Sequence, residues 1–214
     1  MSTYWQQTLT FAQQLRHELH TQPELGWQEY NTAQRIRAEL DRLGVHWRDC
    51  AGTGTVASLN AGAKKAGAPS VALRGDWQSQ VPGCMHACGH DGHTAALLAT
   101  AAWLKHVEPQ LPGPVTLLFQ PAEEGGHGAR QMIADGALEG VDCIYGWHNW
   151  PAIEYGKLVC PDGIVMCGNG TFNITVKGKG GHASQPELCR DPVLAASAIT
   201  LALQQVVIRR LAPQ

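Results

Sequence analysis

Over residues 8–20, and again over 31–43, apolar side chains return every three or four positions, the spacing of helices that bury one face. Gln22-Pro-Glu-Leu-Gly26 separates the two runs, and Gly44 stands where a left-handed C-cap belongs. Beyond it the runs shorten. Residues 54–59 and 70–74 read as strands, 94–104 as an Ala/Leu-rich helix, and 115–119 and 143–147 as further strands. This alternation predicts an α/β fold with a mainly parallel sheet flanked by helices.

The polar residues that interrupt this pattern fall at informative places. Val71-Ala-Leu-Arg-Gly runs into Asp76, Val115-Thr-Leu-Leu-Phe into Glu123 and Glu124, and Ile144-Tyr-Gly-Trp into His148. In an open parallel sheet the carboxyl ends of the strands line the ligand crevice, so residues distant in sequence can meet there. Each part alone has a plainer reading: a Glu pair is usually solvated surface, and a histidine after a strand is usually structural. Their joint placement is what points to a site.

Between the second strand and the third helix lies Met85-His-Ala-Cys-Gly-His-Asp-Gly-His93, which packs one cysteine and three histidines into nine positions. On an extended segment Cys88 and His90, two apart, project to the same side and can hold one ion. A thiolate beside an imidazole suits zinc or another first-row divalent metal, whereas magnesium and calcium prefer oxygen shells. A redox cysteine or a buried thiol would not need three histidines nearby, so the cluster points to metal-dependent hydrolysis.

Composition narrows the setting. The 214 residues are 44% hydrophobic and 16% charged with a formal charge of -2, enough for one medium domain or slightly more. There is no basic run to suggest nucleic acid and no apolar stretch of about 18 residues to span a membrane. The N-terminal residues mix apolar with charged side chains and lack a signal peptide's apolar core, which makes the cytoplasm the expected location. Seven scattered cysteines read mostly as reduced core residues. Gly52-Thr-Gly54-Thr-Val-Ala57 is a partial nucleotide fingerprint, but residues 55–59 themselves read as a strand, so a glycine turn is expected instead.

Four segments carry a resemblance: Arg16-His-Glu-Leu-His-Thr-Gln-Pro-Glu-Leu-Gly26; Met85 through Ala95; Phe119-Gln-Pro-Ala-Glu-Glu-Gly-Gly126; and His148-Asn-Trp-Pro151 with Gly178-Lys-Gly-Gly-His-Ala183. Together they resemble the M20 family of metallopeptidases and amidohydrolases, in the branch of aminoacylases, hippurate hydrolases and indoleacetyl-amino acid hydrolases. The resemblance implies a three-layer, zinc-peptidase-like catalytic domain over residues 1–168. Residues 169–214 would begin an α+β lid or dimerisation domain, with a strand at 171–176 and a helix at 192–209. It implies two divalent ions, zinc or manganese with cobalt or nickel as alternatives, held by Cys88, His90, Glu124 and His148. Glu123 would be the general base and His182 an oxyanion donor often placed in a partner subunit. The implied substrate is a small N-acyl amino acid whose amide is attacked by a metal-activated water. The resemblance also implies a homodimer formed through the lid. Asp91 is expected to cap or complement the following helix terminus and His93 to orient the ligand segment. His17, His20, His86 and His127 read as structural or surface residues.

Two departures qualify that reading. The family's Arg-Ala-Asp-Met-Asp-Ala-Leu-Pro segment is shortened here to Arg74-Gly-Asp-Trp-Gln-Ser, followed almost at once by Val81-Pro-Gly, so only Gln78 could stand for the second Asp. The expected remainder of the lid and of the catalytic domain, with a late histidine ligand, has no counterpart before Gln214. One ion or partial occupancy fits such a site. The rival expectation is an inactive truncated remnant that binds only metal or partners.

Overall fold

The structure is a computed structural model that describes residues 3–60, 65–77, 85–165 and 172–210. It separates into two compact units, Met1–Lys157 and Leu158–Gln214. The first unit contains helices α1 (Thr3–His20), α2 (Tyr30–Leu43), α3 (His90–His106) and α4 (Gly128–Ala134). Its strands are β1 (His46–Cys50), β2 (Gly54–Leu59), β3 (Val71–Trp77), β4 (Val115–Pro121) and β5 (Cys143–Gly146).

The five strands form one sheet in the order β1-β2-β4-β3-β5. β3 runs parallel to β4 and β5, while β2 is antiparallel to β1 and β4. The α/β class holds, with a mixed sheet whose parallel part is centred on β3. Antiparallel pairing at the other edge follows from the β1–β2 connection, because three residues can turn the chain but cannot make a crossover. There Ala51 and Gly52 adopt left-handed φ of 51° and 70°. Arg37 fills this turn, donating to the Thr53 and Gly54 carbonyls at 3.3 and 3.0 Å and to Thr55 Oγ1 at 3.0 Å. The glycine turn leads into a strand, as its sequence suggested, and Arg37 binds the carbonyls on the turn.

Strand alternation divides the core between two faces. Ala57, Leu59, Leu117 and Phe119 join Leu15, Leu19, Ile36, Leu40, Leu97 and Leu98 beneath α1, α2 and α3. Val56, Ala72 and Leu118 pack with Cys50 and Met132 beneath α4. Helices therefore cover both faces, which is why β4 reads as a largely apolar run. The first helix spans Thr3–His20, extending the periodic run at 8–20 through the amphipathic N-terminal residues, whose Tyr4 and Trp5 dock on α3. Tyr4 Oη donates to the Ala102 carbonyl at 3.1 Å, and Trp5 meets Trp103 edge-on at 5.0 Å. At the other end of α2, Gly44 takes φ 67° and its N–H reaches the carbonyls of Leu40 and Asp41. Neither β1 nor α4 was predicted. β1 is mostly exposed, and its strand character comes from pairing rather than from an apolar alternation.

Glu29, at the start of α2, is 1% exposed. Its carboxylate accepts the Thr53 hydroxyl at 2.8 Å and the Ala122 N–H at 2.8 Å. Burial nevertheless holds its pKa above the ordinary 4.5. A raised carboxyl contributes stability that is fully present below 4.5 and is lost as pH rises through the folded-state value. Glu29→Gln has no proton to lose. Its stability relative to the parent should therefore improve from about pH 4 to about pH 8, measured by urea denaturation; a pH-independent difference would contradict the assignment.

In the second unit, Lys179 and Arg190 exchange backbone hydrogen bonds of 3.0 and 2.9 Å. Helix α5 (Pro192–Arg210) follows, with proline in its first turn. Asp191 caps it by accepting the Val193 N–H at 2.8 Å. Residues 172–176 form no strand, since among the described residues no segment pairs with them; Thr171 lies outside the described residues. Among the described residues no helix is long and apolar enough to cross a membrane.

Candidate metal centre

The parallel arrangement of β4, β3 and β5 brings their carboxyl ends to one edge of the sheet, and the polar residues at or just past those ends meet the start of α3 there. His90, the first residue of α3, is fully buried and lies at the centre. Three sets of donors surround it: Cys88 with His148, Glu123 with Glu124, and Asp76 with His93. Within each set of three, His90 included, the donor atoms lie within 4.8 Å of one another.

Cys88 and His90 converge by a route different from the expected extended segment. Gly89 between them is left-handed, with φ 86°, and the helix begins at His90 rather than at Thr94. A Cβ on Gly89 would be strained by that φ and would stand 3.3 Å from Asn149 Nδ2, so glycine is needed for the turn. Cys88 Sγ lies 3.5 Å from His148 Nε2. His148 Nδ1 contacts the Asn149 carbonyl at 2.6 Å, and because a carbonyl only accepts, that nitrogen carries the proton. In the neutral ring the Nε2 lone pair therefore faces Cys88, as a ligand requires.

His93 has the opposite assignment. Asn149 N–H donates to His93 Nε2 at 2.9 Å, so Nδ1 holds the proton and donates to Asp76 Oδ1 at 2.6 Å. Both nitrogens are engaged, so His93 ties β3 to the His148 loop. Asp76 is fully buried, its other oxygen 2.9 Å from Arg74 Nη2 and 3.9 Å from His90 Nε2. Burial alone would raise its pKa, but the His93 hydrogen bond and the Arg74 charge outweigh it and bring the value to about 2. It remains an anion beside His90 throughout the neutral range.

Glu123 and Glu124 each place a carboxylate oxygen 3.7 Å from His90 Nε2. The adjacent carboxylates thus approach the same imidazole equally closely instead of diverging. Burial, together with the charges of Glu124 and Glu123, pushes the Cys88 thiol up to about 11. Crowding of sulfur, nitrogen and carboxylate donors is costly by itself and is relieved by a cation, and the mixed donor set fits a first-row divalent metal.

The remaining residues divide clearly. Asp91 lies in the first turn of α3, where an acid complements the helix dipole, yet it makes no side-chain cap. It pairs instead with Arg16 Nε at 2.9 Å and His20 Nδ1 at 2.8 Å, tying α1 to the segment bearing His90. His20 is thus a structural residue, and its i,i+4 spacing from Arg16 at the helix end lets both reach Asp91. Gln78 lies outside the described residues. His182 belongs to the second unit, exposed, with Nδ1 2.7 Å from Ser184 Oγ and accepting the Ser184 N–H at 3.3 Å.

Fold and site together describe an α/β unit with a candidate divalent-metal centre at the carboxyl ends of parallel strands. Residues 67–213 match Peptidase family M20/M25/M40, and the chain belongs to that family. It is similar to IAA-amino acid hydrolase ILR1-like 5 of Arabidopsis thaliana, with 43% identity over 213 residues, covering 93% of this chain and 48% of that protein. Hippurate hydrolase of Campylobacter jejuni is 37% identical over 218 residues, covering 94% of this chain and 56% of that protein. The chain spans about half the length of the curated relatives it matches. Among solved structures, the Bacillus subtilis YXEP protein, described as a dinuclear metal binding peptidase from the M20 family, superposes with a TM-score of 0.63. It is 36% identical, with 69% of this chain and 45% of that chain covered.

Proposed function

We propose that this chain carries the centre of a metal-dependent hydrolase that cleaves the amide bond of N-acyl amino acids. The observation that carries the reading is the convergence of Cys88, His148, Glu123 and Glu124 on the buried His90. The named activities of the Arabidopsis and Campylobacter relatives support the substrate class, and the YXEP description supports two ions.

In this reading Cys88, His90, Glu124 and His148 hold divalent ions, zinc or manganese in preference to cobalt or nickel. Bound there, the ions would lower the pKa of a water to about 7 and polarise the amide carbonyl. Glu123 takes a proton from the attacking water and delivers it to the leaving nitrogen, so that its carboxylate is regenerated. Because Ser184 N–H occupies His182 Nδ1, the neutral His182 ring carries its proton on Nε2, the donor an oxyanion needs. Residues 1–168 form the catalytic domain and 169–214 open a lid through which two copies pair. A reduced thiolate ligand suits the cytoplasm, where we place the chain.

The test is release of free amino acid from N-acetyl, N-benzoyl and indoleacetyl amino acids by the purified chain, with bound zinc or manganese quantified alongside. Metal-dependent release, lost on chelation, is expected. A folded, metal-loaded chain that releases nothing would overturn the proposal and leave a metal-binding relative of these enzymes.

A further inference from the structure

Glu29 is a buried carboxylate that the reaction scheme leaves unused. As the residue preceding α2 it occupies the N-cap position, yet its side chain makes no hydrogen bond to its own helix. That task falls to Glu24, whose Oε2 accepts both the Thr32 N–H and the Thr32 hydroxyl at 2.8 Å. Glu29 instead reaches across the fold, with one oxygen on Thr53 in the β1–β2 turn and the other on the Ala122 N–H, each at 2.8 Å.

Ala122 is an unusual place for such a contact. It is fully buried and left-handed, with φ 46°, a conformation that costs a non-glycine residue about 1–2 kcal/mol. The turn it opens is tightly wound: Gly128 N–H returns to the Ala122 carbonyl at 3.1 Å, and a Cβ at Gly126 would stand 2.6 Å from the Ala122 Cβ. Glu123 and Glu124 are the next two residues. Their direction is set by a backbone that would relax elsewhere unless its surroundings held it. On the far side of Glu29, Thr53 is itself fixed, because Arg37 binds the carbonyls on that turn.

We infer that Glu29 is a positioning residue for the Glu123/Glu124 pair, clamping the strained Ala122 peptide against the β1–β2 turn so that both carboxylates face His90. The inference rests on the reading of Glu124 as a metal ligand. A carboxylate is suited to the task because it can accept two donors from opposite sides. Glutamine retains that capacity in part: its amide oxygen can accept from Ala122 while its NH2 donates to the Thr53 hydroxyl, which can also accept.

The experiment is titration of the metal-free full chain with zinc or manganese alone, followed by calorimetry, on the parent, Glu29→Ala, Glu29→Gln, Thr53→Val and Glu124→Ala. Thermal melting of each apo protein accompanies it. Glu29→Ala should bind metal about 10–100-fold more weakly, the range seen when residues supporting metal ligands are lost. Glu29→Gln should return close to the parent, and Thr53→Val should fall between the parent and Glu29→Ala. A Glu29→Ala chain that melts lower but binds metal with parent affinity would show a structural role only and overturn the inference. Should Glu29→Ala not fold, Thr53→Val decides, and parent affinity in that variant overturns it equally. Parent affinity in Glu124→Ala would instead sink the ligand reading, and this inference with it.

Discussion

Glu123→Gln is expected to bind divalent metal as the parent chain does while amide hydrolysis falls by about 100- to 10,000-fold. The substitution keeps the size and most hydrogen bonds of the side chain but removes its ability to take up a proton at neutral pH. Glu123 is one-third exposed, so the amide can be accommodated without a buried charge being stranded. Measured turnover and metal stoichiometry separate the two roles within the carboxylate pair. That separation is needed because Glu123 and Glu124 stand equally close to His90 in the structure. If metal were lost together with turnover, Glu123 would be the ligand and the assignments of the two residues would exchange.

His90→Ala should have the largest effect on metal affinity, a loss of more than about 100-fold and thus beyond the range of supporting residues. The reason is geometric. His90 belongs to every donor set at the site, whereas Cys88 and His148 belong to one set and Glu123 and Glu124 to another. Removing its imidazole leaves the surrounding thiol and carboxylates without the nitrogen they share. His148→Ala, at a less buried position, should cost less. Because His90 is fully buried, the substitution also leaves a void, and melting of the apo protein must show that the chain still folds. Parent-like metal binding by a folded His90→Ala chain would remove the centre from consideration.

Much of the fold was legible before any tertiary contact was considered. The helical periodicity around Leu15, Leu19, Ile36 and Leu40, the Gly44 cap and the apolar run of β4 each mark a buried face or a forced backbone conformation. The placement of Asp76, Glu123, Glu124 and His148 at or just beyond the carboxyl ends of three strands was readable for the same reason, since β3, β4 and β5 are the mutually parallel strands. What could not be read was whatever depends on a partner. β1 is a strand because β2 pairs with it, and residues 172–176 are not one because nothing described does. The mixed sheet follows from a turn of three residues whose left-handed Ala51 has no sequence signature.

The candidate site shows the same division. The sequence by itself determined which chemistry is available: a thiol, imidazoles and paired carboxylates, all at points where elements begin or end. Only the tertiary structure decided which of them share a space and in what state. It turned Cys88 toward His148 through a left-handed Gly89, engaged both nitrogens of His93 between Asp76 and Asn149, and tied His20 to Asp91. It also brought Glu29, ninety-three positions from Ala122 in the chain, to the peptide that precedes Glu123 and Glu124. Local sequence governs backbone propensity and residue chemistry, because both act within a few residues. Hydrogen-bond partners, tautomers and perturbed pKa values arise from groups that meet only once the chain has folded.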